Sequence, residues 1–243
     1  MRAMGWHTYY SLGQGEFQQM KNNNTKWGDF NPYTINYNNQ TYYGQGIIGS
    51  PAQNQQISGF SPAIQLPNGL PARITVKYFF YEDANEGLGS YSSLYATMYK
   101  DGDTDPDSSG NDSFGATNKP NYVPSVNTAE PHQIVYNING QNINWVIDDQ
   151  TTTNSTTLSA VPQHFKIWIV IQNLIVAGLE NKTDAHGIVV YELTCEYYDY
   201  LEDMFSQMFN MMFVMMFVMM GVMVIKQFVV LFRSRKKEEV EYE

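Results

Sequence analysis

The chain has 243 residues and a formal net charge of −10, and only 16% of its residues are charged. Its main body carries no stripe of Lys and Arg, which argues against a phosphate-neutralising, nucleic-acid-binding surface there. A single cysteine, Cys195, excludes a fold held by internal disulfides. We interpret Cys195 as a small buried strand residue, with a lipidated or intermolecular thiol as the open alternative.

The first 30 residues are predicted to form an extended N-terminal arm. They contain Gly13, Gly15 and the run Asn22-Asn23-Asn24, and helical periodicity is absent before residue 198. Such an arm cannot fold alone, so we expect it to become ordered by lying on a neighbouring subunit.

Residues 31–198 are predicted to form one all-β domain. Runs of β-branched and aromatic residues bounded by turn residues indicate strands at 74–81, 91–99, 134–138, 141–147, 165–171 and 188–197. Asn139-Gly140 predicts a hairpin with a type I′ turn, because Asn-Gly readily supplies two positive φ angles. Residues 101–130 and 149–162 are expected to be polar excursions.

Short strands with frequent Gly, Pro and Asn turns favour a β-sandwich over other all-β architectures. A jelly-roll-like topology is the expected arrangement. No internal repeat relates one half of the domain to the other, so we expect one sandwich and not two stacked ones.

An acidic segment in the first polar excursion has the spacing of a calcium-binding loop. Its carboxylates come from Asp101, Asp103, Asp105, Asp107 and Asp112. Two features depart from the usual calcium loop, because Pro106 replaces the turn glycine and Asp112 replaces a bidentate glutamate. A calcium site and a solvated acidic hairpin tip both stay open, and no other cofactor is expected.

Five Asn-x-Ser/Thr sequons lie outside the strongest predicted strands. They are at Asn23, Asn39, Asn111, Asn154 and Asn181. About three sequons would arise by chance in a chain so rich in Asn, Ser and Thr. Surface glycosylation is therefore a prediction, which an intact-mass measurement tests.

Catalytic motifs are absent from the sequence. The histidines occur singly, at His7, His132, His164 and His186. No Gly-rich phosphate loop, nucleophile elbow or Cys/His pattern occurs, and the residues after Cys195 do not supply the His and Met of a blue-copper site. Asp148-Asp149 is interpreted as a turn, because adjacent strand residues point to opposite faces. The chain is therefore predicted not to be an enzyme.

Residues 199–232 are predicted to form a single transmembrane anchor helix. Residues 204–225 carry no charge and would extend about 33 Å, close to the thickness of a hydrocarbon core. Residues that mark this anchor are Met204, Phe209, Phe213, Phe217, Gly221, Ile225 and Phe232. Tyr197, Tyr198 and Tyr200 are expected to form an interfacial aromatic belt, and Lys226 is expected to snorkel.

The apolar residues of this helix repeat in fours, as in Phe213-Val214-Met215-Met216. A four-residue period overshoots the 3.6-residue helical turn, so the Phe and Met stripes drift and no face is expected to be dedicated to a partner. A lone glycine without a second small residue at the same spacing disfavours close glycine-type dimerisation.

Residues 233–243 form a charged tail with a basic cluster at Arg233, Arg235, Lys236 and Lys237. This cluster predicts that the tail stays inside and the β domain faces out. Residues 1–15 show no apolar core of a secretory signal. Three explanations stay open: a removed signal, a helix that acts as a reverse anchor, or the membrane of a particle assembled inside a cell. In the last case the tail would face packaged nucleic acid.

An Asn/Gln/Tyr-rich β domain, few charges, sequons and a basic-tailed anchor together resemble a structural protein of a membrane-containing archaeal virus of the Sulfolobus-infecting kind. The resemblance is one of composition and layout along the whole chain. It implies a virion capsid, vertex or spike component that links a protein shell to the lipid bilayer. Its implied partners are other structural proteins of the assembly and further copies of itself.

Two alternatives stay open for a single-pass membrane protein of this layout. A cellular surface-layer or cell-surface anchor protein would carry a cleaved signal in its precursor. A membrane-tethered carbohydrate-binding sandwich would hold calcium in the 101–112 loop and stack exposed aromatic side chains such as Trp145 on sugars.

Overall fold

The computed structural model describes residues 5–52, 54–67, 69–82, 90–99, 113–117, 131–148, 154–158, 160–173 and 185–240. They form two compact units, which are considered separately. One unit is residues 6–198, and the other contains the C-terminal helix from residue 199 onward.

The first unit is built from two antiparallel sheets. The larger sheet has the spatial order β11 (Asn154–Thr157), β10 (Asn142–Ile147), β9 (Pro131–Asn139), β6 (Ala72–Glu82), β13 (His186–Tyr198), β3 (Gln40–Gly49) and β2 (Asn31–Tyr37), and β1 (Trp6–Leu12) also pairs with β13. The smaller sheet has the order β4 (Gln55–Phe60), β12 (His164–Asn173), β7 (Ser90–Tyr99) and β8 (Ser113–Thr117), and β5 (Ile64–Gln65) pairs with β12.

The two sheets enclose one apolar core, because alternate residues of each central strand point inward. From the larger sheet, β6 contributes Ile74 and Val76, both fully buried. From the smaller sheet, β12 contributes Ile167 and Ile169, which are also fully buried. Two sheets that pack face to face around one core form a β-sandwich. Burial of apolar surface on both inner faces is the main source of its stability.

The second unit contains α2 (Tyr200–Val240), a helix of 41 residues. The Asp199 carboxylate accepts a hydrogen bond from the Leu201 backbone N–H at 2.9 Å, which makes Asp199 its N-cap. The predicted fold class, an all-β sandwich followed by one long apolar C-terminal helix, is confirmed. The charged tail does not begin a separate segment, since the helix continues through Arg233 to Val240.

Residues 1–30 were predicted as an extended arm, but residues 6–30 supply part of the sandwich unit. Strand β1 pairs with β13 from Trp6 to Leu12, with a shift of register between Thr8 and Tyr10. Helix α1 (Gln14–Asn22) follows, and its Phe17 side chain is fully buried in the core. The expectation that no helix precedes residue 198 was therefore wrong. Phe17 is the only buried residue of α1, so the helix shows almost no apolar periodicity.

Strand β13 changes partners along one of its edges. Its first part pairs with β3 as far as Val190, and its last part pairs with β1 from Leu193 onward. Between these two partners, the side chain of Gln14 takes the place of a strand and bonds to the backbone of β13 at Tyr191. Its side-chain amide donates to the carbonyl oxygens of Tyr191 at 2.8 Å and Tyr43 at 3.1 Å, and its Oε1 accepts from the Tyr43 N–H at 2.7 Å.

The predicted hairpin exists, but its turn lies one residue further along the chain. Asn139 pairs with Asn142, so the two loop residues are Gly140 and Gln141, and only Gly140 has a positive φ, at 61°. Glycine at the first loop position is the pattern of a type II′ turn and not the predicted type I′. The two positive φ angles expected of a type I′ turn occur instead at Asn38 (47°) and Asn39 (61°), between β2 and β3.

The two predicted polar excursions also contain strands. Strand β8 lies within residues 101–130, and β11 lies within residues 149–162. Both are short edge strands, Ser113–Thr117 and Asn154–Thr157. Strand β11 has no apolar residue and β8 has only Phe114 and Ala116, so neither has the longer apolar alternation that marks a strand in a sequence.

Candidate functional surfaces

The most extensive exposed apolar surface belongs to α2. Met204–Arg233 is a stretch of 30 residues with a mean hydropathy of 2.3, none of it buried, so by length and composition it is a candidate membrane span. All the residues predicted to mark the anchor lie on it and are exposed: Met204, Phe209, Phe213, Phe217, Gly221, Ile225 and Phe232. Arg233, Arg235, Lys236 and Lys237 occupy its last turns.

The tyrosines predicted as an interfacial belt are divided between strand and helix. Tyr197 and Tyr198 end β13, and Tyr200 begins α2. Tyr198 makes an edge contact with Trp6 at a ring-centroid distance of 5.5 Å. The Arg73 guanidinium lies 4.6 Å from the Trp6 ring centroid and forms a 2.7 Å ion pair with Glu196. These contacts fix the end of the sheet from which the chain continues into the helix.

A second apolar cluster lies on the outer face of the larger sheet, away from the sandwich core. It is formed by Ile35, Phe79, Val189 and Tyr191, with Tyr33, Tyr37, Tyr42, Ile48 and Tyr81 packed around them. We call this surface the tyrosine face. Its tyrosines at 33, 37, 42 and 81 are half-buried, so each ring has one part packed and another part open to solvent.

The centre of the tyrosine face is Phe79, which is completely buried although it lies on an outer sheet surface. Its ring centroid is 4.7 Å from that of Tyr191 and 5.0 Å from that of Tyr42. Burial also raises the pKa of Tyr191 to about 12. The Tyr42 hydroxyl donates to the Gln40 side-chain oxygen at 3.0 Å, which fixes the position of that ring.

Three aromatic rings form a row across the outer face of the smaller sheet. Phe60 and Tyr95 lie on either side of Trp168, at centroid distances of 5.7 Å and 5.0 Å. The next residue of this face on β7, Thr97, is fully buried, and the Trp168 Nε1 atom is inaccessible. The three rings are half-buried, and their contacts pack neighbouring strands together.

His132 and Asp148 form a pair that sequence reasoning did not identify. His132 Nδ1 lies 2.7 Å from Asp148 Oδ2, while Asp148 Oδ1 accepts from the Gln133 backbone N–H at 2.8 Å. Asp148 adopts a left-handed backbone with φ of 49°, directly after β10. The hairpin register could have revealed this pair, because it places the start of β9 opposite the end of β10. Within the described part of the chain, no third metal-ligating side chain joins it.

Cys195 is fully buried on β13, as predicted. Burial raises the pKa of its thiol to about 12, although a hydrogen bond with Tyr9 acts in the opposite direction. Burial also raises the pKa of the Tyr9 hydroxyl. A thiol in this state is protonated and shielded, which makes it a poor nucleophile.

The other predicted site residues are distributed as follows. The calcium-loop carboxylates Asp101, Asp103, Asp105, Asp107 and Asp112, and the sequons at Asn111 and Asn181, lie outside the described residues. The remaining sequons are exposed, at Asn23 after α1, at Asn39 in the β2–β3 turn and at Asn154 on β11. Trp145, expected to be exposed for sugar stacking, instead packs against the main core.

No protein-family model matches the chain, and no curated protein matches it. Among solved structures, it is similar to the carbohydrate recognition domain of Emp47p, at 11% identity and a TM-score of 0.43, with 80% of this chain and 98% of that chain covered. It is similar to an endo-1,3-beta-glucanase from Streptomyces sioyaensis, at 10% identity and a TM-score of 0.48, with coverages of 82% and 99%. For basic winged bean lectin the identity is 9%, the TM-score 0.40 and the coverages 79% and 98%.

Proposed function

We propose that this chain is a non-catalytic, single-pass membrane protein whose β-sandwich binds carbohydrate through the tyrosine face. The observation that supports the proposal is the cluster of half-buried tyrosines around Phe79 on an outer sheet surface. Monomeric soluble proteins rarely leave such a contiguous aromatic patch without a use.

The chemistry of tyrosine suits a sugar ligand. Each ring offers an apolar surface for the C–H groups of a pyranose, and each hydroxyl can donate or accept one hydrogen bond. Tyr42 and Tyr191 are held by ring contacts at 5.2 Å, so little side-chain entropy would be lost on binding. Tyr33 and Tyr37 extend the same surface along the edge strand β2.

Tethering is the second part of the proposal. The apolar stretch of α2 is about 45 Å long at 1.5 Å per residue, which is enough to cross a hydrocarbon core with a tilt. A weak sugar site gains avidity when many copies are held on one surface. A membrane-bound array of sandwiches therefore suits a ligand that is itself a repeating glycan.

The test is a glycan array probed with the full-length protein in lipid nanodiscs. We expect binding to a defined glycan class, and we expect Tyr33→Ala and Tyr37→Ala each to weaken it about tenfold, as for loss of one buried aromatic contact. Thr34→Ala and Asn36→Ala are matched controls, because these exposed residues lie on the other face of the same strand. Absence of glycan binding, or equal losses in all four variants, would contradict the proposal.

A second candidate function is the virion role implied by the sequence resemblance, in which the sandwich connects a protein shell to a membrane. The same surface favours it, because a rigid tyrosine-rich patch also suits packing against a neighbouring shell subunit. In that case Tyr33→Ala and Tyr37→Ala would reduce co-assembly with other structural proteins and leave glycan arrays blank. The basic residues Arg233, Arg235, Lys236 and Lys237 would then contact packaged nucleic acid.

A further inference from the structure

We infer that the tyrosine face takes neutral sugars with neighbouring hydroxyl groups and discriminates against acidic sugars, because a matched ion pair borders it. The pair is Lys77 on β6 and Glu192 on β13, whose Nζ and Oε1 atoms lie 2.7 Å apart. This selectivity rests on the proposed binding of carbohydrate by the tyrosine face, and it specifies the class of sugar.

The ion pair lies on the same outer surface of the larger sheet as the tyrosine face. Lys77 precedes Phe79 by two residues on β6, and side chains two residues apart on a strand point to the same side. Glu192 directly follows Tyr191, and the shift of register between Val190 and Glu192 lets both neighbours reach this side. The two charges therefore border the aromatic rings.

The charges on this surface are balanced. Every residue of the tyrosine face is itself uncharged, and the ion pair adds one charge of each sign. Lys21 Nζ donates to the Pro32 carbonyl oxygen at 3.3 Å, but the Lys21 side chain is exposed, so salt screens its charge. Within the described residues, an acidic sugar on the tyrosine face meets no cation there that is both desolvated and unpaired.

The Glu192 carboxylate acts electrostatically on the tyrosine face. Burial is the largest cause of the raised pKa of the Tyr191 hydroxyl, and the negative charge of Glu192 raises this pKa further. A carboxylate that disfavours a phenolate at this point also disfavours the carboxylate of a uronic acid there. An acidic sugar is therefore repelled where its ring would contact Tyr191.

A neutral sugar can use both members of the ion pair. The Lys77 and Glu192 side chains are 34% and 37% exposed, so a ligand can reach them. Beyond their mutual contact, the ammonium has further N–H donors and the carboxylate has a second acceptor oxygen. Neighbouring hydroxyls of a pyranose lie a hydrogen-bond length apart, so one can accept from Lys77 while the other donates to Glu192. The pair thereby orients a sugar whose apolar side lies on the aromatic rings.

The test is an array with two matched panels, read with the full-length protein in lipid nanodiscs. One panel holds linear glucans, mannans and galactans. The other holds polyglucuronates, polymannuronates and polygalacturonates of the same lengths, in which C6 is a carboxylate. We expect the native chain to bind the neutral panel about fivefold more strongly, the size of one partly exposed charge interaction.

Two substitutions should shift this preference in opposite directions. Glu192→Gln leaves the Lys77 ammonium uncompensated and should raise the ratio of acidic to neutral binding about fivefold, a gain that high salt removes. Lys77→Gln leaves the Glu192 carboxylate uncompensated and should lower the ratio. Glu196→Gln is the matched control, because it breaks the ion pair with Arg73 between the same two strands, at the start of β6, and should leave the ratio unchanged. Thermal unfolding of each variant checks that it is folded.

The possible outcomes separate this selectivity from the proposed function. Equal binding to the two panels overturns the selectivity and leaves the tyrosine face as a sugar site. A ratio that neither Glu192→Gln nor Lys77→Gln changes, or that Glu196→Gln changes equally, also overturns the selectivity. An array that stays blank on both panels overturns the selectivity and the proposed function together.

Discussion

At the scale of single residues, the interior of the sandwich controls the chemistry of Cys195. The side chain lies on the central strand β13 with no exposed surface, and its pKa rises from an ordinary value of 9.0 to about 12. The native protein should therefore not react with a thiol reagent at pH 8, and the unfolded protein should react quickly. The reactive or lipidated thiol considered from the sequence is disfavoured by this burial.

We predict that the buried Cys195 thiol makes the folded protein less stable at alkaline pH. Because the folded-state pKa lies above the ordinary value of 9.0, the neutral thiol contributes its full stabilisation below pH 9 and loses it as the pH rises towards about 12. The measurement is the unfolding midpoint of the full chain in detergent between pH 8 and pH 12. Cys195→Ala should weaken this dependence without abolishing it, because Tyr9 and Tyr191 still have raised pKa values, and Tyr9 loses only the contribution that Cys195 makes to its pKa. Parallel curves for the two chains would contradict the prediction.

The Asp148 carboxylate is predicted to fix the open end of the β9–β10 hairpin. Asp148→Ala removes both side-chain hydrogen bonds, to Gln133 and His132, and places alanine at a positive φ. We expect a loss of about 2 kcal/mol in unfolding free energy, measured by denaturant titration. Asp148→Asn is the matched control, because asparagine tolerates the left-handed backbone and still accepts from Gln133. We expect Asp148→Asn to lose less than Asp148→Ala; equal losses would contradict the roles given to the left-handed backbone and the Gln133 hydrogen bond and would assign the effect to the carboxylate charge.

At the scale of elements, Gln14 replaces the missing strand pairing between β3 and β1. Gln14→Ala would leave the Tyr191 carbonyl and the Tyr43 N–H without their partners, at a cost of about 2 kcal/mol. Gln18→Ala, on the exposed side of the same helix, should change stability by less than about 0.5 kcal/mol. Thermal unfolding of the full chain in detergent measures both, and a neutral Gln14→Ala would show that water replaces the amide.

Sequence patterns predicted the elements with the longest runs of apolar, β-branched and aromatic residues, namely β6, β12 and β13. They missed α1, because only Phe17 is buried there, and β2, whose alternation of Tyr33, Ile35 and Tyr37 was not recognised. The turn of the β9–β10 hairpin lies one residue beyond Asn139-Gly140, because cross-strand packing sets the register and the local preference of Asn-Gly does not. The observed register pairs Ile138 with Ile143 and Ile134 with Ile147, which matches apolar residues across the strands.

At the scale of the whole molecule, the sandwich and the long apolar helix could be predicted, whereas the tyrosine face could not. Phe79, Tyr42 and Tyr191 come from three strands that are far apart in the sequence, and only the strand order of the larger sheet brings them together. Their side chains would also suit the core of a sandwich. Which face a tyrosine occupies depends on strand register, and a shift of one residue reverses it.

The division into two units predicts that the sandwich folds without its anchor. A chain of residues 1–199 should be soluble without detergent and unfold cooperatively, because the compact unit of residues 6–198 contains the whole apolar core. The full chain should instead pellet with liposomes, since the apolar stretch of α2 is exposed throughout. A full chain that stays monomeric in buffer and ignores liposomes would refute the membrane tether.

The direct continuation of β13 into α2 decides how the sandwich bears mechanical load. Only Asp199 separates the last residue of the strand from the first residue of the helix, so tension on the anchor is delivered along β13. That strand is hydrogen-bonded antiparallel to β6 on one edge and to β3 and β1 on the other. Pulling along its axis loads many hydrogen bonds at once, in shear, instead of opening them one after another. A sandwich attached in this way resists extraction of its own central strand when α2 is pulled away from it.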